Sequence, residues 1–355
     1  DDRCRAHGRR RASPLSPPMI HSPYVRKPVS VQRTMGLVLI ALLPGIAAYV
    51  WQAGAAILVN LLIATVVAAL AEALVMHLRQ RSIRVAVTDL SAVLTAWLVA
   101  LSLPAIVPWW LTTCAVLVAI LAVKHLYGGL GQNPFNPAMV AYCTMIVAFP
   151  ALMSQWPTLA STGLDGQLAL IMGGARDLDA ITGATALDSL RTGLRVAGAS
   201  VESVTQGAAF GVFGSQGWEW VAAGYALGGL FLLAKGIITW HMPVAFIVAL
   251  GGTAGVFWLI DPTHYASPLF HLASGGAMLA AFFIVTDPVS GATTPRGKLL
   301  FAAGVGLIVW LIRSFGAYPD GIAFAVLLMN ICVPLLDMKT QPRVFGHREA
   351  AGGDK

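Results

Sequence analysis

One seven-residue pattern, D-x-x-[ST]-G-A-T, occurs twice in the chain. The copies are Asp179–Thr185 and Asp287–Thr293. Each places a carboxylate and two hydroxyl side chains around a Gly-Ala pair that leaves the backbone open. Hydroxyl and carboxylate groups in such a setting can do chemistry, and the letters alone do not say whether one copy or both do so.

Other candidates for chemistry are weaker. The four cysteines are dispersed and form no C-x-x-C pair, which argues against a zinc or iron–sulfur site made by this chain alone. No nucleophile–base–acid arrangement is visible in the sequence. Five scattered histidines are interpreted as interfacial or packed residues: His77, His125, His241, His264 and His271.

The composition is that of a membrane protein. The chain is 57% hydrophobic and 11% charged, whereas soluble proteins have about 25% charged residues. The formal charge of +7 could suggest a nucleic-acid partner, but the basic residues lie at the ends of apolar runs. We therefore interpret them as topology signals and expect no nucleic acid to bind.

Ten apolar runs approach the roughly 20 residues that a membrane helix needs. They are Met35–Trp51, Ala55–Leu78, Ala86–Leu103, Trp109–Lys124, Pro137–Leu152, Trp218–Lys235, Met242–Ile260, Leu269–Thr286, Leu299–Ile312 and Gly321–Leu336. The predicted fold is an all-α polytopic membrane protein with about ten transmembrane helices in two five-helix halves.

The expected domain limits follow from these runs. They are a basic N-terminus over 1–34, a first half over 35–152, an extracytoplasmic loop over 153–217, a second half over 218–336 and a tail over 337–355. Residues 1–18 contain no apolar run and are expected to be disordered, with Met19 as the biological start.

The charge distribution predicts the orientation. With the N-terminus in the cytoplasm, 19 of the 23 Lys and Arg residues lie inside. The four outside would be Arg176, Arg191, Arg195 and Arg313. Both termini are then cytoplasmic, and the long middle loop faces outward.

Two halves with an odd number of helices are inverted relative to each other, and such repeats place their sites near the midplane. Gly128–Met139 and Thr286–Gly297 interrupt the chain with Gly, Pro and Asn. Each is either non-helical backbone at membrane depth or an ordinary cytoplasmic turn. Glu72 and Asp89 lie in predicted spans and are either ion-path residues or snorkelling and helix-capping residues.

Several motifs together resemble a known family. They are Lys124–Tyr142, Asp179–Arg191, Ile238–Phe246 and Thr286–Asp337. In their residues and in their order along the chain, they are similar to motifs of the D subunit of the Rnf electron-transport complex, called Rsx in some bacteria. The B subunit of the sodium-pumping NADH:quinone reductase is homologous and is the competing identity. The resemblance covers Met19 to Phe345.

The resemblance implies a membrane subunit that holds FMN covalently, through a phosphoester to the last Thr of the motif. It thus implies Thr185 as the FMN-bearing residue, with Asp179, Thr182, Gly183 and Ala184 as its attachment motif. The family's flavin transferase acts outside the cytoplasmic membrane, and the predicted orientation puts Thr185 outside and Thr293 inside. We therefore expect Thr185, and not Thr293, to carry FMN.

The resemblance also implies a noncovalent riboflavin, for which Asn133–Asn136 and Thr286–Ser290 offer polar groups. The implied function is that of a redox-driven translocase subunit, inactive alone, in a ferredoxin:NAD oxidoreductase that moves Na⁺ or H⁺. Implied partners are the A, B, C, E and G subunits of the complex, the flavin transferase and the bilayer of the bacterial inner membrane. A solute or ion channel of the same architecture is the alternative from another class.

Overall fold

The computed structural model describes residues 30–157, 163–174, 182–318 and 320–341. Nearly all secondary structure in these ranges is helical. The strands in them are β1 (Trp156–Pro157) and β2 (Thr182–Gly183), which pair antiparallel with Trp156 opposite Gly183. The structure therefore agrees with the predicted all-α class.

The helices follow the predicted order. The first half contains α1 (Val31–Ala53), α2 (Ala56–Leu78), α3 (Ile83–Thr88), α4 (Ser91–Ser102), α5 (Trp109–Leu117) with its π-helical continuation (Val118–His125), α6 (Pro137–Ala148) and α7 (Pro150–Met153). The middle segment contains α8 (Leu164–Ile171), α9 (Ala186–Gly193) and α10 (Val201–Thr205). The second half contains α11 (Trp218–Ala234), α12 (His241–Ile260), α13 (Pro268–Ala273), α14 (Ala277–Leu279) with its π-helical continuation (Ala280–Ile284), α15 (Pro295–Phe315) and α16 (Ile322–Thr340).

Five of the described helices, α1, α2, α12, α15 and α16, are long and apolar enough to cross a membrane by themselves. Four shorter apolar helices lie over Ser91–Ser102, Trp109–His125, Pro137–Ala148 and Trp218–Ala234. The chain is thus a polytopic membrane protein, and ten as the number of spans stays a prediction.

Three predicted spans are not continuous helices, and one of them, Pro137–Leu152, divides at Phe149 into α6 and α7. The run Ala86–Leu103 breaks between α3 and α4, where Leu90 adopts a left-handed conformation with φ of 63°. The run Leu269–Thr286 breaks between α13 and α14, where Gly275 also has φ of 63°. Hydropathy counts apolar side chains and misses these turns, so the third element of each half was wrongly predicted as one helix.

The two halves pack by the same scheme. Within the first half α2 lies against α5, and within the second α12 lies against α15. The first helices of the two halves, α1 and α11, form the largest contact between the halves. These equivalent pairings are those expected of a repeated five-element unit.

Glycines allow α1 and α11 to approach closely. A Cβ at Gly228 would collide with the carbonyl oxygen of Ala41, and one at Gly224 would lie 2.7 Å from the carbonyl oxygen of Pro44. Helix association in membranes depends on such close packing, because lipid offers no hydrophobic driving force between helices. The contact between the halves therefore depends on small residues.

Replacing Gly228 by Ala tests this contact, with Gly252→Ala as the matched control. No atom lies within 4 Å of a Cβ at Gly252. The Gly252→Ala change therefore causes no clash and has only the small stabilising effect of Ala over Gly in a helix. We expect Gly228→Ala to destabilise the fold by roughly 2 kcal/mol through overpacking. Thermal unfolding of the purified protein in detergent measures both variants, and equal midpoints would contradict the packing argument.

Candidate functional site

Thr185 lies at a defined junction between a strand and a helix. Gly183 pairs with Trp156 in the two-stranded sheet, and Thr185 is the N-cap of α9. Its Oγ1 accepts a hydrogen bond from the backbone N–H of Asp188 at 3.2 Å. Thr185 is partly exposed, as is Thr182, and Ala184 is exposed; Asp179 lies outside the described residues. The proposed acceptor is thus held in place and still accessible.

The charges around Thr185 suit a phosphate. A helix N-terminus carries partial positive charge and unpaired N–H groups, which favour an anion at the N-cap. Asp188 would oppose this with its negative charge, but its Oδ1 is 2.7 Å from the Arg191 guanidinium. Because that carboxylate is paired, the field at Thr185 remains favourable to a phosphoester.

A cavity of about 970 Å³, including its open mouth, adjoins Thr185 and is here called the Thr185 cavity. Five aromatic side chains line it: Tyr49, Tyr142, Trp156, Trp218 and Tyr225. Trp218 meets Tyr49 and Trp156 edge to face, with ring centroids 4.9 Å and 5.7 Å apart. Ligand sites in proteins are mostly apolar and aromatic with a few polar groups, and the lining of this cavity has that character.

The second copy of the pattern builds a turn. The carboxylate of Asp287 accepts a 2.6 Å hydrogen bond from the Ser290 hydroxyl and further bonds from backbone N–H groups. The backbone N–H of Thr293 donates to Asp337 at 2.9 Å, and Thr294 caps α15. The residues of this copy thus have a structural role, because they form the turn before α15.

The two threonines lie at opposite ends of α15. Thr293 directly precedes the cap of this helix, whereas Arg191 on α9 donates a hydrogen bond to the carbonyl of Ala317, just past its last residue. The 21 residues of α15 correspond to a rise of about 31 Å. Thr185 and Thr293 therefore lie on opposite sides of a membrane-length bundle.

A second cavity, here called the Asn133 cavity, lies on the Thr293 side and measures about 1550 Å³ with its opening. Asn133 and Asn136 from the first interruption line it together with Thr286 and Asp287 from the second. Thr293 also lines this cavity. The structure thus brings the two Gly- and Pro-rich interruptions to one site.

Asn330 on α16 holds these interruptions together, although the sequence motifs did not single it out. Its Nδ2 donates to the carbonyl of Ser290 at 2.7 Å, and its Oδ1 accepts from the backbone N–H of Asn136 at 3.4 Å. Asn330 is 4% exposed. An amide buried in a predicted span is costly unless it is bonded, and this is the signal that could have identified it.

Neighbouring residues line the two cavities. Leu98 of α4 lines the Asn133 cavity, and Leu101, one turn away, lines the Thr185 cavity. Likewise, Phe283 lines the Asn133 cavity and its neighbour Ile284 lines the Thr185 cavity. One turn of helix rises about 5 Å, so the cavities approach closely in the core.

Glu72 and Asp89 belong to one buried network. The Glu72 carboxylate, 2% exposed, lies 3.0 Å from the Lys124 ammonium and 2.9 Å from Nε2 of His125. Lys124 also donates to the Ser91 hydroxyl at 2.8 Å, and Asp89 accepts from both the N–H and the hydroxyl of Ser91. Asp89 thus accepts hydrogen bonds from the first residue of α4, and Glu72 neutralises the buried Lys124 ammonium. The ion-path role of either residue stays a prediction.

A second buried ion pair bonds both ends of the break between α13 and α14. Arg313 donates to the carbonyls of His271 at 2.6 Å and Ser274 at 3.3 Å, and it pairs with Asp320 at 3.2 Å. Asp320 in turn accepts from the N–H of Gly276 at 3.1 Å. Gly276 and Asp320 also line the Thr185 cavity. The charge pattern of the sequence placed Arg313 outside the membrane and gave no sign of this role.

The Glu72 pair predicts a specific stability pattern. Glu72→Gln leaves the Lys124 ammonium buried without its partner, and we expect a loss of about 3 kcal/mol. The double variant Glu72→Gln/Lys124→Met removes that cation and should recover most of the loss. Glu202→Gln, at an exposed position on α10, is the control. Unfolding in detergent measures all three, and a Glu72→Gln protein as stable as the control would contradict a buried pair.

Comparison with known proteins agrees with this architecture. The model of the NQR2, RnfD, RnfE family matches residues 19–346. The chain is 47% identical to the D subunit of an ion-translocating oxidoreductase complex from Erwinia tasmaniensis, over 92% of this chain and 98% of that protein. D subunits of the same name from Yersinia pseudotuberculosis and Escherichia coli are each 46% identical, over 92% of this chain and 97% and 98% of theirs. The predicted resemblance is confirmed: the chain belongs to the NQR2, RnfD, RnfE family.

Proposed function

We propose that this chain is the flavin-bearing membrane subunit of an ion-translocating ferredoxin:NAD oxidoreductase complex of the Rnf type. FMN is bonded to Thr185, and electrons cross the membrane part of the subunit while Na⁺ or H⁺ is moved. The observation that carries the proposal is the position of Thr185, at the N-cap of α9 and at the edge of an aromatic cavity. Relatives named as the D subunit of an ion-translocating oxidoreductase complex support it.

The residues around Thr185 have distinct tasks in this proposal. Thr185 offers its hydroxyl to a flavin transferase, which forms the Oγ–P bond and breaks a P–O bond of a pyrophosphate donor. The N-terminus of α9 stabilises the phosphate, and Arg191 neutralises Asp188. The edges of Trp156 and Trp218 line the space for the ring. When bound, the flavin supplies the electron transfer, and the protein supplies placement and tuning.

The Asn133 cavity is proposed to hold riboflavin. A flavin ring presents carbonyl and N–H groups along one edge, which amide, hydroxyl and carboxylate side chains can match. Asn133, Asn136, Thr286 and Asp287 provide such groups around one space. The neighbouring linings of this cavity and the Thr185 cavity support a route for electrons between the two ends of the bundle.

Location and partners follow from the same proposal. The protein would lie in the bacterial inner membrane, with both termini in the cytoplasm and Thr185 outside. Its partners would be the A, B, C, E and G subunits of the complex, and the flavin transferase would be needed for maturation. As one subunit of a multisubunit complex, it would be inactive alone.

Covalent flavin tests the proposal directly. The protein is produced with a flavin transferase, denatured, separated in a gel and observed for flavin fluorescence. Wild type and Thr293→Val should fluoresce, and Thr185→Val should not, because its side chain has no oxygen to esterify. Fluorescence lost only in Thr293→Val would mean that the orientation is inverted. Fluorescence in none of them would favour the channel alternative.

The second flavin is tested in the Thr185→Val background, which carries no covalent FMN. Acid precipitation should then release about one riboflavin per chain, measured by chromatography. Adding Asn133→Ala, which removes a buried amide from the cavity wall, should abolish most of this signal. Gln132→Ala is the matched control, because Gln132 is exposed and lines no part of the cavity. Equal riboflavin in both variants would contradict the placement.

A further inference from the structure

A third cavity lies between α9, the start of α13 and the end of α15. It measures about 790 Å³ with its opening and is here called the arginine pocket. Three arginines line it: Arg191, Arg195 and Arg313. His264 and His271 line it as well, and no carboxylate does among the described residues. The described wall therefore carries three cationic side chains and no anionic one.

The charges of this pocket are only partly compensated. Arg191 pairs with Asp188 and Arg313 pairs with Asp320, in each case outside the pocket lining. The Arg195 guanidinium is exposed and has no ion pair or hydrogen-bond partner in the part of the chain that the structure describes. The pocket thus presents one unneutralised guanidinium beside two that retain donors.

His264 adds no free charge. Its Nδ1 lies 2.8 Å from the carboxylate of Asp261. Hydrogen bonds from Thr263, and then the contact with His264, hold the pKa of the Asp261 carboxyl below its usual range, so it is ionised at neutral pH. The excess positive charge of the pocket therefore comes from Arg195.

Two buried polar atoms at the pocket lack partners. They are Nδ1 of His271 and Nε of Arg191, which find no hydrogen-bond partner within the described ranges. His271 is 5% exposed. Most buried polar groups in native proteins are bonded, so two orphans on one pocket wall indicate an absent partner. This observation is independent of the charge count.

The pocket also concentrates a scarce residue type. The predicted orientation leaves only four of the 23 basic residues outside, because translocated segments are depleted in Lys and Arg. Three of those four line this pocket. Outward-facing arginines that converge on one point require a local reason, and binding of an anion provides one.

The setting is that of a membrane boundary. The pocket lies at the C-terminal end of α15, one of the membrane-length helices, and Phe315 at this end is 63% exposed. Tyr265 and Phe315 line the pocket and both contact the ring of Trp310. Aromatic residues of this kind collect where the hydrocarbon meets the headgroups.

We propose that the arginine pocket binds a phosphate group, which either the headgroup of an anionic phospholipid or a free phosphate could supply. Arginine forks match phosphate oxygens with paired N–H donors. Arg195 and Arg191 hold the phosphate at the mouth, and His271 lines the wall behind them. Because Leu187 lines both this pocket and the Thr185 cavity, an occupied pocket would brace α9, which carries the flavin-bearing threonine at its cap.

Native mass spectrometry of the full chain in an uncharged detergent tests the site, using short-chain phosphatidylglycerol, short-chain phosphatidylcholine and inorganic phosphate as probes. The Thr185→Val background keeps the result independent of covalent flavin. We expect phosphatidylglycerol to bind, phosphatidylcholine to bind less, and Arg195→Gln to weaken binding about tenfold. Arg195→Lys should retain part of the affinity, and added salt should weaken it.

Arg84→Gln is the matched control, because it removes one exposed positive charge from α3, far along the chain from the pocket. Binding of inorganic phosphate alone, with the same dependence on Arg195, would assign the site to free phosphate and would still support it. If no probe binds, or if Arg195→Gln and Arg84→Gln bind equally, the proposal is overturned. Arg195 is exposed, so both variants should unfold at the wild-type temperature.

Discussion

The whole arrangement depends on how two helix breaks satisfy their backbone hydrogen bonds. Lipid cannot hydrogen-bond a free N–H or C=O, so a helix that stops inside the bilayer must find partners within the protein. Arg313 and Asp320 form one such set of partners. The arginine bonds the carbonyls of His271 and Ser274 at the end of α13, and the aspartate bonds the N–H of Gly276, the N-cap of α14. A neutral ion pair thus completes a broken helix without leaving a net charge.

The other half solves the same problem with different residues. Asp89 bonds the N–H of Ser91 at the start of α4, and Lys124 bonds the Ser91 hydroxyl while pairing with Glu72. In both halves the cation comes from the C-terminal end of the fourth span, at Lys124 or Arg313, and reaches the broken third element. The repeated packing scheme is therefore visible in the polar groups as well as in the helix contacts. The charged residues in these predicted spans therefore have structural roles, and their presence does not by itself indicate transport.

Each break also borders one cavity. Gly276 and Asp320 line the Thr185 cavity, and Ser91 and Lys124 line the Asn133 cavity. A broken helix leaves room that a continuous helix would fill, and membrane proteins often place their sites at such breaks. The ion pairs that stabilise the breaks and the two cavities are therefore parts of the same local structures.

The sequence predicted the helical class and the approximate limits of the apolar segments, because those depend on local composition. It did not predict the breaks, which depend on Leu90 and on Gly275 in left-handed conformations within apolar runs. Nor could it bring Trp156 next to Trp218, or join Ser290 and Asn136 through Asn330, because these contacts link distant segments. Local patterns identify elements, whereas a site made from several elements requires the fold.

The repeated pattern shows the same limit at the smallest scale. Its two copies share their letters, yet Asp287 and Ser290 bond each other to build a turn, while Thr185 caps a helix beside an aromatic cavity. The Thr293 side offers Lys298 near the threonine, which would also attract a phosphate, so charge alone does not separate the copies. What separates them is position: they lie at opposite ends of α15, and an enzyme acting on one side of the membrane can reach only one of them.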